Sequence, residues 1–463
     1  MSVIATGLAG LLDELRSTRP EIRLLTGEAD RERYRRDETA YLAADLPGAV
    51  ALPASTAEVS AILALATKHR APIVPRGAGS GLSGGSAGNA EGLTVALTAM
   101  NRVLEIDRAN LCVVTQPGIL NAELKKAVEA EGLFYAPDPA SFEICSIGGN
   151  LATNAGGLCC VKYGQTRDSV ISLEVVLADG TVIRTGGKTQ KDVAGYSLTH
   201  LFVGSGGTLG IITEATLRLR PLPPPRSTLL AFFPTLDGAG DAVAAIMSGG
   251  LGPVTLELLD QATIRAVEDW HGLGLDVDAA AMLMVESDLP GQAAVAELDL
   301  AEDACRAAGA GELIRSRDPQ EADMLRNARR LGLRALERLG TVRMEDVGVP
   351  RSRVPDLLRA IDEIGKRHGL RVATFGHAGD GNLHPNFIFE HGDPDAERLT
   401  LAAQADLYRA ALELGGTVTA EHGIGSVRRE WLVEQRGPAA VEVMHAIKRA
   451  LDPLGILNPG RFI

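Results

Sequence analysis

The hydrophobic pattern of the first part of the chain predicts helices that alternate with short strands. Residues 55–69 combine apolar positions at helical spacing with a capping box formed by Ser55 and Glu58, which predicts a helix. Residues 72–75 predict a strand that leads into a glycine-rich loop. Asn121 is expected to cap a second helix.

Two further strands are predicted around a tight turn. The apolar runs 173–177 and 181–183 flank Asp179–Gly180, which is a pattern typical of a β-hairpin. Residues 210–219 predict another strand. The proline run at 221–225 follows it and marks the clearest domain boundary in the chain.

After this boundary strand patterns and longer helical patterns alternate, which indicates an α+β domain of about 190 residues. The predicted strands are 229–233, 282–286, 371–376 and 383–389, and the predicted helices are 238–247, 291–308, 319–339, 354–368 and 394–414. A further helix, 439–451, is predicted in the tail 417–463 that follows this domain.

Composition narrows the class of protein. The net charge of −13 argues against nucleic-acid and anionic-membrane binding, because both need basic faces. Five cysteines in no metal or redox spacing indicate a reducing compartment. The longest uncharged stretch, 144–161, is too rich in glycine and asparagine for a membrane helix, and the N-terminus lacks a signal-peptide pattern. We therefore expect a cytoplasmic protein that is at most peripheral at a membrane.

Glycine is in excess, with 52 residues, and much of it lies in three clusters. Residues 76–85 follow a strand without a long helix after them, so they do not fit a Rossmann fingerprint. Such a loop can turn backbone N–H groups towards a phosphate, with Ser80 and Ser83 as added hydroxyl donors. Residues 146–157 and 204–213 allow a flat ligand to approach the backbone. Each cluster alone is equally well a surface loop or turn.

Taken in order, these clusters with residues 137–141 and 162–164 resemble the FAD-binding domain of the vanillyl-alcohol oxidase family of flavoproteins, over about residues 50–223. The resemblance implies FAD, bound noncovalently because no histidine lies between His69 and His200. Family members often carry Glu where this chain has Gly207. The implied cofactor-binding residues are Pro75, Arg76, Gly77, Ala78, Gly79, Ser80, Gly81, Leu82, Ser83, Gly84, Pro137, Asp138, Ser141, Gly148, Gly149, Asn154, Gly157, Tyr163, Gly164, Gly206, Gly210, Ile211, Ile212 and Asn458.

A histidine motif stands in the second half of the chain. Asp380–Gly381 predicts a hairpin turn that brings His377 and His384 together across two strands. Glu421 and His422 add a carboxylate and a third imidazole in another glycine-rich turn. Three such ligands with open positions suit a catalytic divalent metal such as zinc or manganese. A plain hairpin and a solvated turn remain the alternatives.

These motifs, with the terminal Asn-Pro-Gly-Arg at 458–461, resemble the subgroup of D-2-hydroxyacid dehydrogenases, which includes D-lactate dehydrogenase, D-2-hydroxyglutarate dehydrogenase and the flavin subunit of glycolate oxidase. The resemblance implies that His377, His384 and Glu421 bind the metal and that His422 is the base. It also implies that Asn386 contacts the substrate and that hydride passes to the flavin.

A carboxylate clamp is expected from Arg329, because a guanidinium fork matches two carboxylate oxygens. Enzymes of the 2-hydroxyglutarate type carry Thr and Lys where this chain has Leu333 and Met344. This departure favours a monocarboxylate such as lactate or glycolate, although Arg343 offers a compensating cation.

The expected fold class is α+β, with a two-part FAD-binding domain and an α+β cap domain built on an antiparallel sheet. The expected boundaries are 1–223 (core about 45–223), 224–416, and a segment 417–463 that returns to the FAD domain. A quinone, cytochrome, electron-transfer flavoprotein or redox subunit is expected as electron acceptor. The oligomeric state is open, with a homodimer among the options. The alternatives are D-2-hydroxyglutarate dehydrogenase, another FAD-dependent alcohol oxidase or ether-lipid synthase of this fold, and a noncatalytic flavin-binding subunit.

Overall fold

The computed structural model describes residues 3–39 and 41–463. The chain divides into two compact units. The first unit comprises Met1–Gly156, Gln165–Leu222 and Glu421–Ile463, and the second comprises Gly157–Gly164 and Pro223–Ala420.

This division moves the expected boundaries by a few residues, because Pro223 and residues 417–420 lie in the second unit, and it also places Gly157–Gly164 there. Packing explains the place of Gly157–Gly164. The side chains of Lys162 and Tyr163 both bond to the carboxylate of Asp288. A Cβ at Gly379 would lie 2.8 Å from Val161, so that glycine lets the segment approach closely.

The helices are α1 (Val3–Thr18), α2 (Glu28–Glu32), α3 (Thr56–His69), α4 (Asn121–Glu129), α5 (Ile147–Thr153), α6 (Cys160–Tyr163), α7 (Leu198–Phe202), α8 (Leu236–Ser248), α9 (Gln261–His271), α10 (Gln292–Ala307), α11 (Pro319–Arg330), α12 (Gly332–Glu337), α13 (Val354–His368), α14 (Pro394–Glu413), α15 (Arg429–Arg436) and α16 (Pro438–Leu451).

The strands are β1 (Arg23–Leu25), β2 (Ala49–Leu52), β3 (Ile73–Arg76), β4 (Leu93–Ala96), β5 (Val103–Asp107), β6 (Cys112–Thr115), β7 (Leu133–Phe134), β8 (Val170–Val176), β9 (Val182–Arg184), β10 (Ile211–Arg218), β11 (Arg220–Pro221), β12 (Ser227–Phe233), β13 (Thr255–Asp260), β14 (Ala281–Ser287), β15 (Leu313–Arg315), β16 (Thr341–Met344), β17 (Val347–Gly348), β18 (Arg371–His377) and β19 (Asn382–Phe389).

Two larger sheets and a two-stranded sheet of β7 and β11 lie in the first unit. One has the order β1-β2-β4-β3, in which β2, β4 and β3 run parallel. The other is antiparallel with the order β5-β6-β10-β8-β9, and it contains the predicted hairpin around Asp179–Gly180. The predicted start of helix α3 is confirmed, since Ser55 is its capping residue and the Ser55 hydroxyl accepts from the Glu58 amide. Its apolar face is buried in the core around the first sheet.

The prediction that Asn121 caps α4 is wrong. Leu120 is the capping residue and Asn121 is the first helical residue. The Asn121 side chain is buried, and its amide donates to the Asn150 side chain at 3.0 Å and to the Pro137 carbonyl at 3.3 Å. A buried amide needs such partners, so this residue ties α4 to α5 instead of capping its own helix.

The second unit is built on an antiparallel sheet with the order β15-β12-β14-β13-β18-β19-β16, and β17 pairs with β19. Helices α8, α9, α10, α13 and α14 belong to the same unit. The sheet and helices confirm the α+β class and the expected antiparallel cap. Strand β13 and helix α9 are absent from the sequence-based prediction.

One predicted helix, 319–339, is in fact two. Helix α11 ends at Arg330 and α12 begins at Gly332. A Cβ at Gly332 would lie 3.3 Å from the ring of Phe375, so the glycine permits close packing at the break. The break matters for the site because it fixes the end of α11, which carries Arg329.

Among residues 3–39 and 41–463, no helix has the length and apolarity needed to cross a membrane.

Candidate functional site

Arg76, at the start of the first glycine loop, stabilises the backbone around it. This side chain is buried, and its guanidinium donates to the carbonyls of Ser86 at 3.1 Å and Arg36 at 3.0 Å. Gly79 has φ +84°, and a Cβ there would overlap the guanidinium. Burial lowers the pKa of Arg76. Arg76 therefore stabilises the conformation of the loop and places a positive charge next to it.

Ser146 joins the first loop to the second glycine cluster, and sequence reasoning missed it. Its hydroxyl oxygen accepts from the amide of Ala78 at 3.1 Å and from that of Gly149 at 3.3 Å. A Cβ on Gly77 would overlap this oxygen. Two stretches of bare backbone thus meet at one hydroxyl. This is the kind of cradle that a pyrophosphate needs.

The hydroxyl of Ser83, an expected phosphate donor, donates to the carbonyl of His422 at 3.0 Å. Its own carbonyl accepts from the amide of Ser426 at 2.9 Å. A Cβ on Gly425 would collide with Ser83. These contacts lie within the first unit and attach the segment after Glu421 to the first glycine loop.

Asn458 links the first and third glycine clusters. Its side-chain amide donates to the carbonyls of Gly85 at 2.9 Å and Gly206 at 2.8 Å. Its backbone amide donates to Ile73 at 2.7 Å. The residue is buried, so both carbonyls are satisfied without water. The structure thus gives Asn458 a scaffolding role in the predicted cofactor site.

The other predicted positions in the second cluster are mainly packing sites. A Cβ on Gly148 would lie 2.6 Å from Pro117. Asn154 ends α5 in the left-handed conformation, and its amide group bonds to Gln165 at 2.7 Å and to the Arg167 amide at 2.8 Å. Asparagine suits this position because it tolerates a positive φ.

In the third cluster, Gly207 stands where relatives were expected to carry Glu. It has φ +69°, and a Cβ would lie 2.9 Å from the ring of Pro75. Glycine therefore fits this backbone better than Glu would. A Cβ on Gly210 would lie 2.6 Å from Val175. Ile211 and Ile212 are buried in two different core clusters on either side of β10.

Five other expected cofactor residues are placed as follows. Asp138 is buried, and the Ser141 carbonyl accepts from the Cys145 amide at 2.9 Å. Gly157, Tyr163 and Gly164 lie in the second unit.

We expect Gly77→Ala to weaken FAD binding by about 1–3 kcal/mol, because the added methyl displaces Ser146 and opens the cradle. Flavin content after gel filtration and the dissociation constant of added FAD measure this effect. Gly187→Ala is the matched control, since a Cβ at Gly187 meets no atom within 4 Å. Equal flavin retention by the two variants would contradict this account of the cradle.

The second unit contains the predicted histidine pair. Strand β18 ends at His377, β19 carries His384, and Asp380–Gly381 lies in the turn between them as predicted. The two buried rings are 5.4 Å apart between centroids at an interplanar angle of 88°. The hairpin therefore brings both imidazoles together, as the sequence predicts.

Each imidazole is held through its Nδ1 atom. His377 Nδ1 lies 2.7 Å from Glu257 Oε1, and His384 Nδ1 lies 3.3 Å from the Glu345 carbonyl oxygen. A carbonyl oxygen accepts hydrogen bonds, so His384 carries its proton on Nδ1. This tautomer leaves the lone pair on Nε2, which is the usual arrangement of a metal-binding histidine. The donor set fits a divalent metal.

Glu257 was missed by sequence reasoning, although it touches two predicted site residues. It lies fully buried on β13, with one oxygen on His377 and the other 2.7 Å from Arg329 Nη2. The Arg329 guanidinium is also buried and stacks over Phe375 at 4.6 Å. The carboxylate of Glu257 therefore bridges Arg329 and His377, and the sequence did not predict this ion pair.

Asn386 is buried on the same face of β19 as His384. Its amide donates to the carbonyls of Ala373 at 3.0 Å and His384 at 2.6 Å. Its Oδ1 atom has no hydrogen-bond partner among the described residues. Asn386 thus supports the backbone of His384 and keeps one acceptor for a ligand.

The two positions that the resemblance implies for substrate selection, Leu333 and Met344, are apolar. Met344 pairs with Asn386 across the sheet, and both Met344 and Leu333 pack against the hydrophobic core of the unit. Arg343 alternates to the opposite face, where it bonds to Glu345 and Gln404. Arg343 is therefore turned away from the Asn386 face and does not replace the missing cation there.

Glu421 and His422 begin the last segment of the first unit. A Cβ on Gly156 would overlap Glu421 Oε2, so this carboxylate packs on the second glycine cluster. His422 Nε2 lies 3.6 Å from Glu421 Oε1. The preceding residue, Ala420, is fixed in the second unit by Asp346, which accepts from its amide at 2.9 Å.

Comparison with known proteins agrees with this geometry. A family model described as the FAD binding domain matches residues 47–186, and one described as FAD linked oxidases, C-terminal domain, matches residues 222–462. The glycolate oxidase subunit GlcD of Bacillus subtilis is 45% identical over 417 residues, which cover 90% of this chain and 89% of the relative. A D-lactate dehydrogenase of Archaeoglobus fulgidus is 36% identical over 439 residues, covering 93% and 95% of the two chains.

Solved structures show the same fold at low identity. The 4-ethylphenol oxidase of Gulosibacter chungangensis is 22% identical, with a TM-score of 0.81, and covers 98% of this chain and 97% of that chain. This likeness concerns the fold alone. Together with the two family matches and the relatives, it confirms the resemblance inferred from the motifs: the chain belongs to the family of FAD-linked oxidases and is an FAD-dependent oxidoreductase.

Proposed function

We propose that this protein oxidises a D-2-hydroxy acid with a single carboxylate, such as D-lactate or glycolate, to the 2-oxo acid. The proposed cofactors are noncovalent FAD and a divalent metal, zinc or manganese, bound by His377, His384 and Glu421. The names of the relatives support the substrate class. The observation that carries the metal is the pair of buried imidazoles, each held at Nδ1 by an acceptor.

The proposed division of labour follows from the chemistry of each group. FAD supplies the hydride acceptor when bound. A divalent ion acidifies a hydroxyl that it binds. His422 accepts the proton from the C2 hydroxyl as general base. Asn386 is proposed to contact the substrate through Oδ1.

Arg329 is proposed to bind the substrate carboxylate. Its Nη2 is engaged by Glu257, while its Nε has no hydrogen-bond partner among the described residues. Glu257 fixes the guanidinium on one side, so a substrate carboxylate meets a cation of set orientation. The apolar Leu333 and Met344 favour a short monocarboxylate over a dicarboxylate, because a second carboxylate would be buried there without a partner.

The proposed physiological acceptor is a quinone, a cytochrome, an electron-transfer flavoprotein or a redox subunit. A cytoplasmic protein that is at most peripheral at a membrane, in a homodimer or a complex with further subunits, accommodates each of these acceptors.

We expect D-lactate or glycolate to bleach the oxidised flavin under anaerobic conditions. L-lactate and D-2-hydroxyglutarate should do so much more slowly, the dicarboxylate by roughly 10-fold or more because each unpaired buried charge costs at least about 1.4 kcal/mol. Stopped-flow absorbance of the flavin measures each rate. Faster reduction by D-2-hydroxyglutarate than by D-lactate would favour the dicarboxylate alternative. Reduction by none of these acids would refute the proposal.

A further inference from the structure

A buried polar network lies on the face of the β16–β19 sheet opposite the histidines. The Glu345 carboxylate, which is fully buried, accepts from Arg343 Nε at 3.1 Å, Gln404 Nε2 at 2.7 Å and the Tyr408 hydroxyl at 2.5 Å. Gln404 and Tyr408 stand one turn apart on α14, and Gln404 also bonds to Tyr408 at 3.1 Å. Helix α14 therefore clamps this one carboxylate from two positions.

The backbone of the same residue faces the histidine motif. The Glu345 amide donates to the Pro385 carbonyl at 2.9 Å, and the Glu345 carbonyl accepts from His384 Nδ1 at 3.3 Å. The side chain thus anchors the residue on one face of the sheet while its carbonyl orients an imidazole on the other. Any shift of Glu345 moves the acceptor that fixes the tautomer and ring plane of His384.

The next residue extends the arrangement. Asp346 Oδ2 accepts from the Thr419 hydroxyl at 2.6 Å and from the Ala420 amide at 2.9 Å. Thr419 and Ala420 immediately precede Glu421 in the chain. The dipeptide Glu345–Asp346 therefore holds both His384 and the backbone from which the proposed third metal ligand extends.

The chemical cost of this network argues for a role beyond stability. A buried carboxylate with an arginine, an amide and a phenol is rarely more stabilising than apolar side chains of the same volume. What such a network gives is a fixed geometry, because each donor removes a direction of movement. Partners that orient a metal-binding histidine typically influence metal affinity by 10- to 100-fold.

We propose that Glu345 is a positioning residue of the metal centre, held by Arg343, Gln404 and Tyr408, and that α14 thereby sets the metal affinity without contacting the metal. The inference rests on the metal site proposed above. Arg343, Gln404 and Tyr408, the three residues that hold Glu345, are not proposed to contact substrate or cofactor.

The test uses the FAD-loaded protein, stripped of metal and titrated with Zn²⁺ against a chromophoric chelator. Tyr408→Phe removes a single hydroxyl and is expected to weaken Zn²⁺ binding by about 10- to 100-fold. Gln404→Leu removes a different donor and is expected to act in the same direction, so that a folding failure of one variant leaves the other. Thermal unfolding is measured on each variant in parallel.

The matched control is Leu298→Ala on α10, a buried apolar position of the same unit outside the network. It is expected to lower the melting temperature and to leave Zn²⁺ affinity at the wild-type value. If the wild type binds Zn²⁺ and Tyr408→Phe and Gln404→Leu bind it equally well, the positioning role is refuted and the proposed function stands. If the wild type binds no Zn²⁺, the proposed metal site and this inference both fail.

Discussion

His384→Ala is expected to lower turnover by a factor on the order of 10³ and to abolish stoichiometric binding of Zn²⁺ or Mn²⁺. The variant loses one of two buried imidazoles, and two of the three proposed ligands are too few for a stable metal site. FAD content should remain at the wild-type level, because the glycine cradle lies in the other unit. Metal analysis, flavin absorbance and steady-state kinetics measure the three quantities.

The control for this change is His391→Ala, which removes an exposed imidazole two residues after the end of β19. Its turnover and metal content should match the wild type. If His384→Ala kept both full metal content and full turnover, the assignment of the histidine pair as a metal site would be wrong.

His422→Gln is expected to slow flavin reduction by about 10²–10⁴-fold, the usual contribution of a general base. The main-chain carbonyl of His422, which accepts from Ser83, is kept in this variant, so the glycine loop retains its support. Zn²⁺ binding and FAD binding should be little changed, because the imidazole is proposed as base and not as ligand. Anaerobic stopped-flow reduction by D-lactate isolates the chemical step from the acceptor.

His445→Gln on α16 is the corresponding control in the first unit, and its reduction rate should equal that of the wild type. A wild-type rate in His422→Gln would assign the proton removal to another group. Loss of metal from this variant would instead indicate that His422 is itself a ligand.

Local patterns were enough to predict the histidine hairpin. Asp380–Gly381 is a turn signal between two apolar runs, and the register of a hairpin follows from its turn. The proximity of His377 and His384 therefore follows from the short stretch of consecutive residues that forms the hairpin. The helix 55–69 was predictable for the same reason, since its cap and its apolar face are local.

Glu257 could not be found in this way. It lies 120 residues before His377, on a strand that is an ordinary apolar run except for Glu257 within it and Asp260 at its end. The meeting of β13 and β18 is a long-range pairing that no local pattern encodes. A buried-strand carboxylate is the one available signal, because a charge within an apolar strand requires a partner.

The clamp on Glu345 was invisible for a related reason. Gln404 and Tyr408 have the spacing of neighbours on one helix face, which on its own indicates packing. From the sequence, Arg343 is a candidate cation for a second substrate carboxylate. In the structure the alternation of side chains along β16 places it on the opposite face, where it bonds to Glu345 and Gln404. The face of the sheet on which Arg343 lies decides its role, and a shift of the strand register by one residue would place it on the other face.

The glycine loops show another limit of prediction from sequence. Their composition predicts an anion cradle but not the contacts that shape it. Arg76 donates to the carbonyl of Ser86, Ser83 donates to that of His422, and Asn458 donates to that of Gly85. A single serine such as Ser146 carries no signal of this role in the sequence. A cradle is defined by how separate loops meet, which depends on tertiary contacts.

The most direct test of the central claim is anaerobic flavin reduction by D-lactate in one preparation, measured before metal removal, after removal, and after addition of Zn²⁺ or Mn²⁺. The proposed function predicts rapid reduction at first, a rate lowered by a factor on the order of 10³ after removal, and recovery when the metal is restored. L-lactate should give slow reduction throughout. Reduction by D-lactate at an unchanged rate in metal-free protein would contradict the proposal that a metal takes part in this oxidation.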